Sequence, residues 1–153
     1  NVRDISVEDW TTWRDLRLRA LAGAPHAFGS SLADWSDASE PAWRRRLQDV
    51  PFNAIVEIDG KAVGQVSGTA SDNHVEWTSM WVDASARGSG AAQALIDAVC
   101  GWAISVGASE VRLSVRRNNE RAIRSYLSNG FVLTDYVADE PSEVMMSRCL
   151  LAT

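Results

Sequence analysis

The stretch WVDASARGSGAAQALIDAV, residues 81–99, joins an apolar, strand-like run to a helix-like run through two glycines one residue apart. The first turn of a helix has backbone N–H groups without intrahelical partners and carries the positive end of the helix dipole. Glycines let a ligand approach the backbone closely. We therefore expect an anion-binding site, and specifically a phosphate site, between Arg87 and Ala92.

Three phosphate-binding motifs compete for this junction. A P-loop needs a lysine followed by Ser or Thr after its last glycine, but Gly90 is followed by two alanines. A dinucleotide fingerprint needs a third small residue where Gln93 stands, and an acidic residue at the end of the next strand, whereas Glu110 begins that strand. The third motif, Arg/Gln-x-x-Gly-x-Gly/Ala, is met by Arg87, Gly90 and Ala92.

Strand-like and helix-like stretches alternate along the chain without an internal repeat or a long linker. Asp59-Gly60 predicts a two-residue hairpin turn, and Gly107 and Gly130 are predicted to end helices. The order of elements predicts an α/β fold with a mixed, mostly antiparallel central sheet of about seven strands and about four helices on both faces. A strand, helix and strand within residues 75–115 predict one parallel pair. The predicted strands are VRDIS, NAIVEI, KAVGQVSGTA, HVEWTSMWV, SEVRLSV, FVLTDYVA and EVMMSRCLL; the predicted helices are VEDWTTWRDLRLRALAGAP, EPAWRRRLQDV, NNERAIRSYLSN and the run that follows Gly90.

A family resemblance covers the second half of the chain. VEWTSMWVDASARGSGAAQALIDAV and LSVRRNNERAIRSYLSNGF together resemble the acetyl-coenzyme A half of the GCN5-related N-acetyltransferase (GNAT) superfamily. Family members often carry a proline at the position of Ala84, and this departure removes no functional residue. The resemblance implies a GNAT fold that is splayed at the cofactor-binding strands, and a single N-acetyltransferase domain over residues 1–153. Besides the glycine turn, the matching positions are Asn119, Ala122, Tyr126, Gly130 and Phe131.

The resemblance implies acetyl-coenzyme A as co-substrate and no metal. In the family the pyrophosphate lies on the glycine turn, and a bulged strand pairs its exposed backbone with the pantetheine arm. A backbone N–H near Val82 would then polarise the thioester carbonyl. Asn119 would bind the pantetheine chain; its other role is capping the helix, and both roles are compatible. The implied cofactor-binding residues are Met80, Trp81, Val82, Arg87, Gly88, Ser89, Gly90, Ala91, Ala92, Asn119, Ala122 and Tyr126.

Glu76 is the candidate general base. An alkylamine with a pKa of about 10.4 must lose a proton before it attacks, which near pH 7 costs roughly 4 to 5 kcal/mol. Several family members place a catalytic glutamate in this strand. The alternative is a strand-end carboxylate that faces solvent. Strand alternation predicts one face with Glu76, Thr78, Met80 and Val82 and the other with Trp77, Ser79 and Trp81.

Tyr126 is the candidate general acid. It lies seven residues after Asn119 and therefore on the same helical face, and it matches the family's tyrosine that protonates the leaving thiolate. The alternative is a packed aromatic residue whose hydroxyl only finds a hydrogen-bond partner.

The acceptor side is the least defined. In the family the acceptor enters between the first helices and the final hairpin, which here means residues 24–43 and 137–144. Asp34, Asp37 and Glu40 would suit a cationic amine, and Trp35 or Trp43 could form a pocket wall. The alternative is that the acids are solvated and the tryptophans are core residues. The predicted substrate-binding residues are Asp34, Trp35 and Glu76, and the run from Arg44 to Arg46 is interpreted as a solvated helix face.

Charge and cysteine content limit the classes of partner and the compartment that we expect. The formal net charge of −5 argues against nucleic acid, and neither a leader nor a membrane-spanning run is visible. The two cysteines, Cys100 and Cys149, predict buried thiols in a reducing, cytoplasmic compartment. We expect a small-molecule or peptide amine as acceptor, with a homodimer as an open alternative. Two rival functions remain: a non-catalytic acyl-coenzyme A sensor, and a nucleotide-binding domain, against which Gln93 and the missing lysine argue.

Overall fold

A computed structural model describes residues 1–23 and 35–150. In these residues the predicted order of strands and helices is confirmed. The strands are β1 (Val2–Asp4), β2 (Phe52–Ile58), β3 (Lys61–Ser71), β4 (His74–Val82), β5 (Glu110–Arg116), β6 (Val132–Leu133) and β7 (Glu143–Cys149), and the helices are α1 (Trp10–Gly23), α2 (Glu40–Asp49), α3 (Ala91–Ser105) and α4 (Glu120–Ser128).

The strands form one seven-stranded sheet in the order β1-β2-β3-β4-β5-β7-β6. All neighbours are antiparallel except β4 and β5, whose parallel pairing is the one expected from the strand, helix and strand between residues 75 and 115. Asp59 and Gly60 both have positive φ, 52° and 79°, at the β2–β3 turn. Two positive φ values are typical of the hairpin turn that Asp-Gly predicts.

The sheet separates two apolar clusters. Ala54 and Val56 pack into the cluster that contains Leu95 and Val99 of α3. Ile55 packs into a second cluster, which contains Trp13 of α1 and residues of α2. Successive residues of a strand point to opposite faces, so α3 covers one face and α1 with α2 covers the other. The expectation of helices on both faces is confirmed.

The alternation predicted for β4 is wrong beyond Thr78. The register with β3 runs from Ser67 opposite Thr78 to Gln65 opposite Trp81, so β4 has one extra residue and forms a β-bulge. Because the extra residue shifts the alternation, Met80 and Val82 pack with the same cluster as Trp77, and Trp81 packs with the cluster of α1 and α2. Ser79, inside the bulge, has φ +58°. This left-handed conformation costs about 1 to 3 kcal/mol for a residue other than glycine.

Two smaller expectations also differ from the structure. The strand predicted from FVLTDYVA is only two residues long, because the Thr134 hydroxyl accepts the N–H of Tyr136 and donates to the carbonyl of Met145, which turns the chain away from the sheet. Cys100 is buried as expected, but Cys149 is exposed at the end of β7, and neither forms a disulfide. No helix in the described residues is long and apolar enough to cross a membrane.

Candidate active site

A gap opens in the middle of the sheet. β4 and β5 pair only through His74–Glu76 and Glu110–Arg112, although β5 continues to Arg116 along β7. Beyond these three pairs, no strand in the described part of the chain pairs with the facing sides of β4 and β5. The expected splay of the cofactor-binding strands is therefore present, and it begins at Glu76, shortly before the bulge.

The backbone of Val82 faces this gap. The N–H of Asp83 donates to the carbonyl of Val63 at 2.7 Å, which makes these two residues a hydrogen-bonded pair of the β3–β4 ladder. Hydrogen-bonded and non-hydrogen-bonded pairs alternate in an antiparallel ladder, so the N–H and C=O of Val82 point away from β3 and toward β5. Within residues 1–23 and 35–150 the N–H of Val82 thus faces the gap without a strand to accept it, at the residue that the sequence analysis proposed as the donor.

A cavity of about 710 Å³ adjoins the gap. Such a volume is within the range of small-molecule sites. It brings together eight of the twelve predicted cofactor-binding residues; Gly88, Ser89, Gly90 and Ala91 do not line it, and neither do Glu76 and Trp35. The lining residues predicted from sequence are Met80, Trp81, Val82, Arg87, Ala92, Asn119, Ala122 and Tyr126.

The glycine turn at the edge of the cavity leads directly into α3. Gly88 and Gly90 have φ values of +80° and +89°, and a Cβ added at either would meet no atom within 4 Å. The glycines are thus needed for backbone conformation and not for close packing. Among the described residues the N–H groups of Gly88, Gly90 and Ala92 have no acceptor, which is what an anion site at a helix start requires.

Ser89 stabilises the turn from inside. Its hydroxyl donates to the carbonyl of Ala86 and accepts the N–H of Ala91 at 3.3 Å. Arg87 lines the cavity next to the turn. The site therefore combines a guanidinium with free backbone donors, both of which favour a phosphate group.

Asn119 caps α4 at the opposite wall. Its Oδ1 accepts the N–H of Ala122 at 3.3 Å, and the residue also lines the cavity. The cap uses the oxygen, so the amide NH2 is left to donate to a ligand. The two roles weighed for Asn119 are compatible in one geometry.

Tyr126 belongs to α4 and lies between the cavity, which it lines, and the apolar core, against which it packs. Its ring packs edge-on against Trp77 with ring centroids 5.1 Å apart. Burial raises the pKa of the Tyr126 hydroxyl to about 12, because the phenolate would lose its hydration. The hydroxyl is therefore neutral at physiological pH and able to donate a hydrogen bond.

Glu76 lies on the other face of the sheet, at the last β4–β5 pair. It stands opposite Thr69 on β3 and Arg112 on β5. Arg112 is held by Glu110 and by the ring of Tyr136, whose centroid is 4.1 Å from the guanidinium carbon. The nearby carboxylates, Glu110 first and Glu76 to a smaller extent, raise the pKa of Arg112. Glu76 is half-buried where the strands separate, on the face that holds α1 and α2.

The other acceptor-side candidates are dispersed. Trp35 packs on Trp43 with ring centroids 4.7 Å apart, and Trp43 is fully buried in the core. Asp37 is exposed, and Glu40 forms an ion pair with Arg44 at 3.0 Å on the surface of α2. Asp34 lies outside the described residues. The structure thus brings Tyr126 to one cavity with Arg87 and Ala92, which flank the glycine turn, but it does not bring Trp35 or Glu40 there.

Comparison with known proteins gives the family. The family model described as acetyltransferase (GNAT) family matches residues 8–131. The chain belongs to the GNAT acetyltransferase family. Curated protein sequences show no match to this chain.

Solved GNAT structures are similar over almost the whole chain. PaiA N-acetyltransferase from Thermoplasma acidophilum, in complex with coenzyme A, is 18% identical with a TM-score of 0.78, covering 97% of this chain and 98% of that one. YncA from Salmonella typhimurium, with its cofactor acetyl-coenzyme A, is 18% identical with a TM-score of 0.75 and coverages of 100% and 95%. Ard1 from Thermoplasma volcanium is 23% identical with a TM-score of 0.75 and coverages of 99% and 98%. These similarities show the GNAT fold.

Sequence reasoning missed several lining residues of this GNAT site, among them four polar ones: Arg19, Asp83, Arg121 and Ser125. Arg19 of α1 lines the cavity, donates to Asp83 at 2.8 Å and lies over the ring of Trp81. The hydroxyl of Ser85 and then Arg19 hold the pKa of Asp83 below its usual range. Arg121 and Ser125 of α4 also line the cavity. The helical spacing of Arg121 and Ser125 from Asn119 and Ala122 could have identified them, whereas no local signal marked Arg19.

No metal-binding cluster of three or more His, Cys, Asp or Glu residues occurs in the described part of the chain.

Proposed function

We propose that this GNAT acetyltransferase transfers an acetyl group from acetyl-coenzyme A to a primary amine by direct attack. The observation that supports this most strongly is the gap between β4 and β5, into which the N–H of Val82 points next to the cavity. An extended pantetheine chain would complete the sheet by pairing with this edge. The pyrophosphate would lie on the N–H groups of the glycine turn, beside Arg87.

Glu76 acts as the general base in this proposal, directly or through water. It removes a proton from the acceptor ammonium, and the neutral nitrogen attacks the thioester carbonyl carbon. The oxygen that gains negative charge is stabilised by the N–H of Val82, as in an oxyanion hole. The C–N bond forms, the C–S bond breaks, and the thiolate of coenzyme A leaves. The location of Glu76 where the strands separate supports this role.

Tyr126 assists the departure of the thiolate. The pKa of a thiol is about 8.5, so complete proton transfer from a phenol with a pKa of about 12 would cost roughly 5 kcal/mol. A hydrogen bond from the neutral hydroxyl to the developing thiolate does not carry this cost. Tyr126 therefore acts as the acid chiefly by hydrogen-bond donation to the developing thiolate. The attacking nitrogen must lose a second proton to become the amide, and this proton neutralises the thiolate once the C–S bond has broken.

The acceptor is an amine of a small molecule or of a peptide, and the reaction is placed in the cytoplasm. The two free thiols support a reducing compartment. The position of Glu76 where β4 and β5 separate supports an approach of the acceptor from the side of α1 and α2, opposite the core that holds Tyr126.

The first experiment separates binding from chemistry. Thermal unfolding is measured with acetyl-coenzyme A, ATP and NAD, and a panel of small amines and peptides is then assayed for thiol release. We expect acetyl-coenzyme A alone to raise Tm and at least one amine to be acetylated. Stabilisation without turnover on any amine would instead identify an acyl-coenzyme A sensor. Stabilisation by ATP or NAD alone would overturn the proposal.

Two variants test the assigned roles on the amine found. Tyr126→Phe should lower kcat by about 100-fold with little change in acetyl-coenzyme A affinity, as for other positioned acids. Tyr136→Phe is the matched control, because it removes the hydroxyl of the other tyrosine, which contacts Glu110.

Glu76→Gln should lower kcat by about 100-fold at neutral pH and less at high pH, where the amine loses its proton unaided. Unchanged turnover in either catalytic variant would refute that residue's role.

A further inference from the structure

We propose that Arg46 is a positioning residue that holds the β4 bulge and thereby keeps the backbone of β4 open to acetyl-coenzyme A. This inference rests on the proposed function, because it concerns binding at the same gap. Arg46 does not line the cavity. It acts from the opposite face of the sheet, through the hydroxyl of Ser79.

The guanidinium of Arg46 joins three strands. It donates to Asn53 of β2 at 3.1 Å, to the hydroxyl of Ser67 of β3 at 3.0 Å and to the hydroxyl of Ser79 of β4 at 3.3 Å. Ser67 in turn donates to Asn53 at 2.7 Å. A single planar group thus fixes the bulged residue relative to its two neighbouring strands.

Asn53 ties this network back to the helix that carries Arg46. Its amide NH2 donates to the carbonyl of Leu47 at 3.3 Å and to that of Val50 at 2.9 Å, at the end of α2. The arginine is therefore held at both ends of its side chain. Because its members hold one another in place, such a closed network has one low-energy arrangement. The position of the Ser79 hydroxyl is therefore set by α2, β2 and β3 together.

The environment of Arg46 is unusual for a charged side chain. Burial lowers its pKa to about 10, and its guanidinium lies over the ring of Trp13 at 5.1 Å. Within residues 1–23 and 35–150 no carboxylate lies within salt-bridge distance of Arg46, although Asp49 at the end of α2 attracts it and Arg17 of α1 repels it. A partly buried cation that touches no carboxylate loses hydration that an ion pair would replace, which is costly. Its three hydrogen bonds, to the strands on and beside the bulge, offset this cost.

The bulge needs such support. Ser79 has a left-handed φ of +58°, which a residue other than glycine adopts only when the surroundings impose it. Without the extra residue in β4, the strand beyond it would shift by one position, and every following side chain and N–H would change sides. Val82 would then present its N–H to β3 instead of to the gap. Arg46 thus acts on the cofactor through Ser79 and the register of β4.

The test compares the Arg46→Met variant with the double variant Arg46→Met, Ser79→Gly, in which residue 79 no longer needs Arg46 to hold its left-handed conformation. Glycine adopts φ +58° without strain. We expect Arg46→Met to weaken acetyl-coenzyme A binding by about tenfold and to speed amide exchange at residues 80–82. Adding Ser79→Gly to it should restore binding to within about threefold of wild type, although Tm stays low. Arg46→Lys should fall between the two, since a lysine cannot reach all three acceptors.

Controls separate this role from simple stability. Arg45→Met changes the exposed neighbour on α2 and should leave affinity and exchange unchanged, and Leu47→Val lowers Tm from the same helix without touching an Arg46 hydrogen bond. If Arg46→Met fails to fold, Ser79→Ala removes only the hydroxyl and should still weaken binding by about threefold. A lower Tm with unchanged binding and exchange, or no rescue by Ser79→Gly, would overturn the proposal. Amide exchange is measured without ligand, so it tests Arg46 even if acetyl-coenzyme A does not bind.

Discussion

The two sides of the split sheet differ in how they are built. The proposed cofactor side comes mostly from one continuous stretch, from β4 to the end of α4, to which α1 adds Arg19, and its key groups are backbone donors set by Gly88, Gly90 and the start of a helix. The proposed acceptor side combines α1, α2 and the face of the sheet on which they pack, and its candidate groups are side chains far apart in sequence. The glycine turn depends on local sequence, whereas a site made of distant side chains depends on the whole fold.

The largest effect expected on the cofactor side comes from Gly90→Val. A β-branched residue is strained at φ +89°, so the turn must change shape and its N–H groups lose their alignment. We expect acetyl-coenzyme A affinity to fall by at least roughly 100-fold. Titration calorimetry checks this. Gly101→Ala, in the middle of α3 with open space around it, is the control and should raise the free energy of unfolding by about 0.5 to 1 kcal/mol. Normal binding by Gly90→Val would show that the turn does not hold the pyrophosphate.

The next effect concerns the pH dependence of stability on the cofactor side. The pKa of Tyr126 is raised to about 12, so the folded state holds this proton more tightly than the unfolded chain, where the pKa is about 10. The contribution is fully present below about pH 10 and is lost as the pH rises toward 12. Between about pH 9 and about pH 11.5, wild type should lose about 2 kcal/mol more unfolding free energy than Tyr126→Phe. Urea denaturation at both pH values measures it, and equal losses would mean that the hydroxyl is hydrated.

A smaller effect is expected on the acceptor side from Trp35→Ala. Removing the ring that packs on Trp43 should raise KM for the acceptor amine by about five- to tenfold and leave KM for acetyl-coenzyme A unchanged, since Trp35 does not line the cofactor cavity. Steady-state kinetics with each substrate varied in turn distinguish the two constants. An equal rise in the KM for acetyl-coenzyme A would show that the acceptor and cofactor sites are not separate.

The smallest effect is expected from Glu40→Gln. This residue pairs with Arg44 on the surface of α2, with about half of the Glu40 side chain exposed. Exposed pairs of this spacing contribute about 0.3 to 0.5 kcal/mol, so stability should fall by no more than that and activity should not change. A clear loss of activity toward a cationic amine would contradict this prediction and show that Glu40 belongs to the acceptor site.

The sequence was sufficient where a residue type has one common use. Asp59-Gly60 predicted the β2–β3 turn, and the motif from Asn119 to Phe131 predicted α4 and its cap. Ser79 carried no such signal, because serine occurs in any strand and its left-handed φ is imposed by Arg46 and β3. The run of three arginines was interpreted as one solvated face, but Arg46 points inward, since in a helix adjacent residues face different directions.

The short pairing of β4 with β5 also affects the protein before any ligand binds. Sheet edges are usually at the rim, where charges and short strands discourage contact with other chains. Here two further edges lie inside the sheet, along β5 from Leu113 and along β4 past the bulge. Any extended peptide meets the same unpaired N–H and C=O groups as a pantetheine chain would. The ligand-free protein is therefore the form most exposed to strand exchange and aggregation.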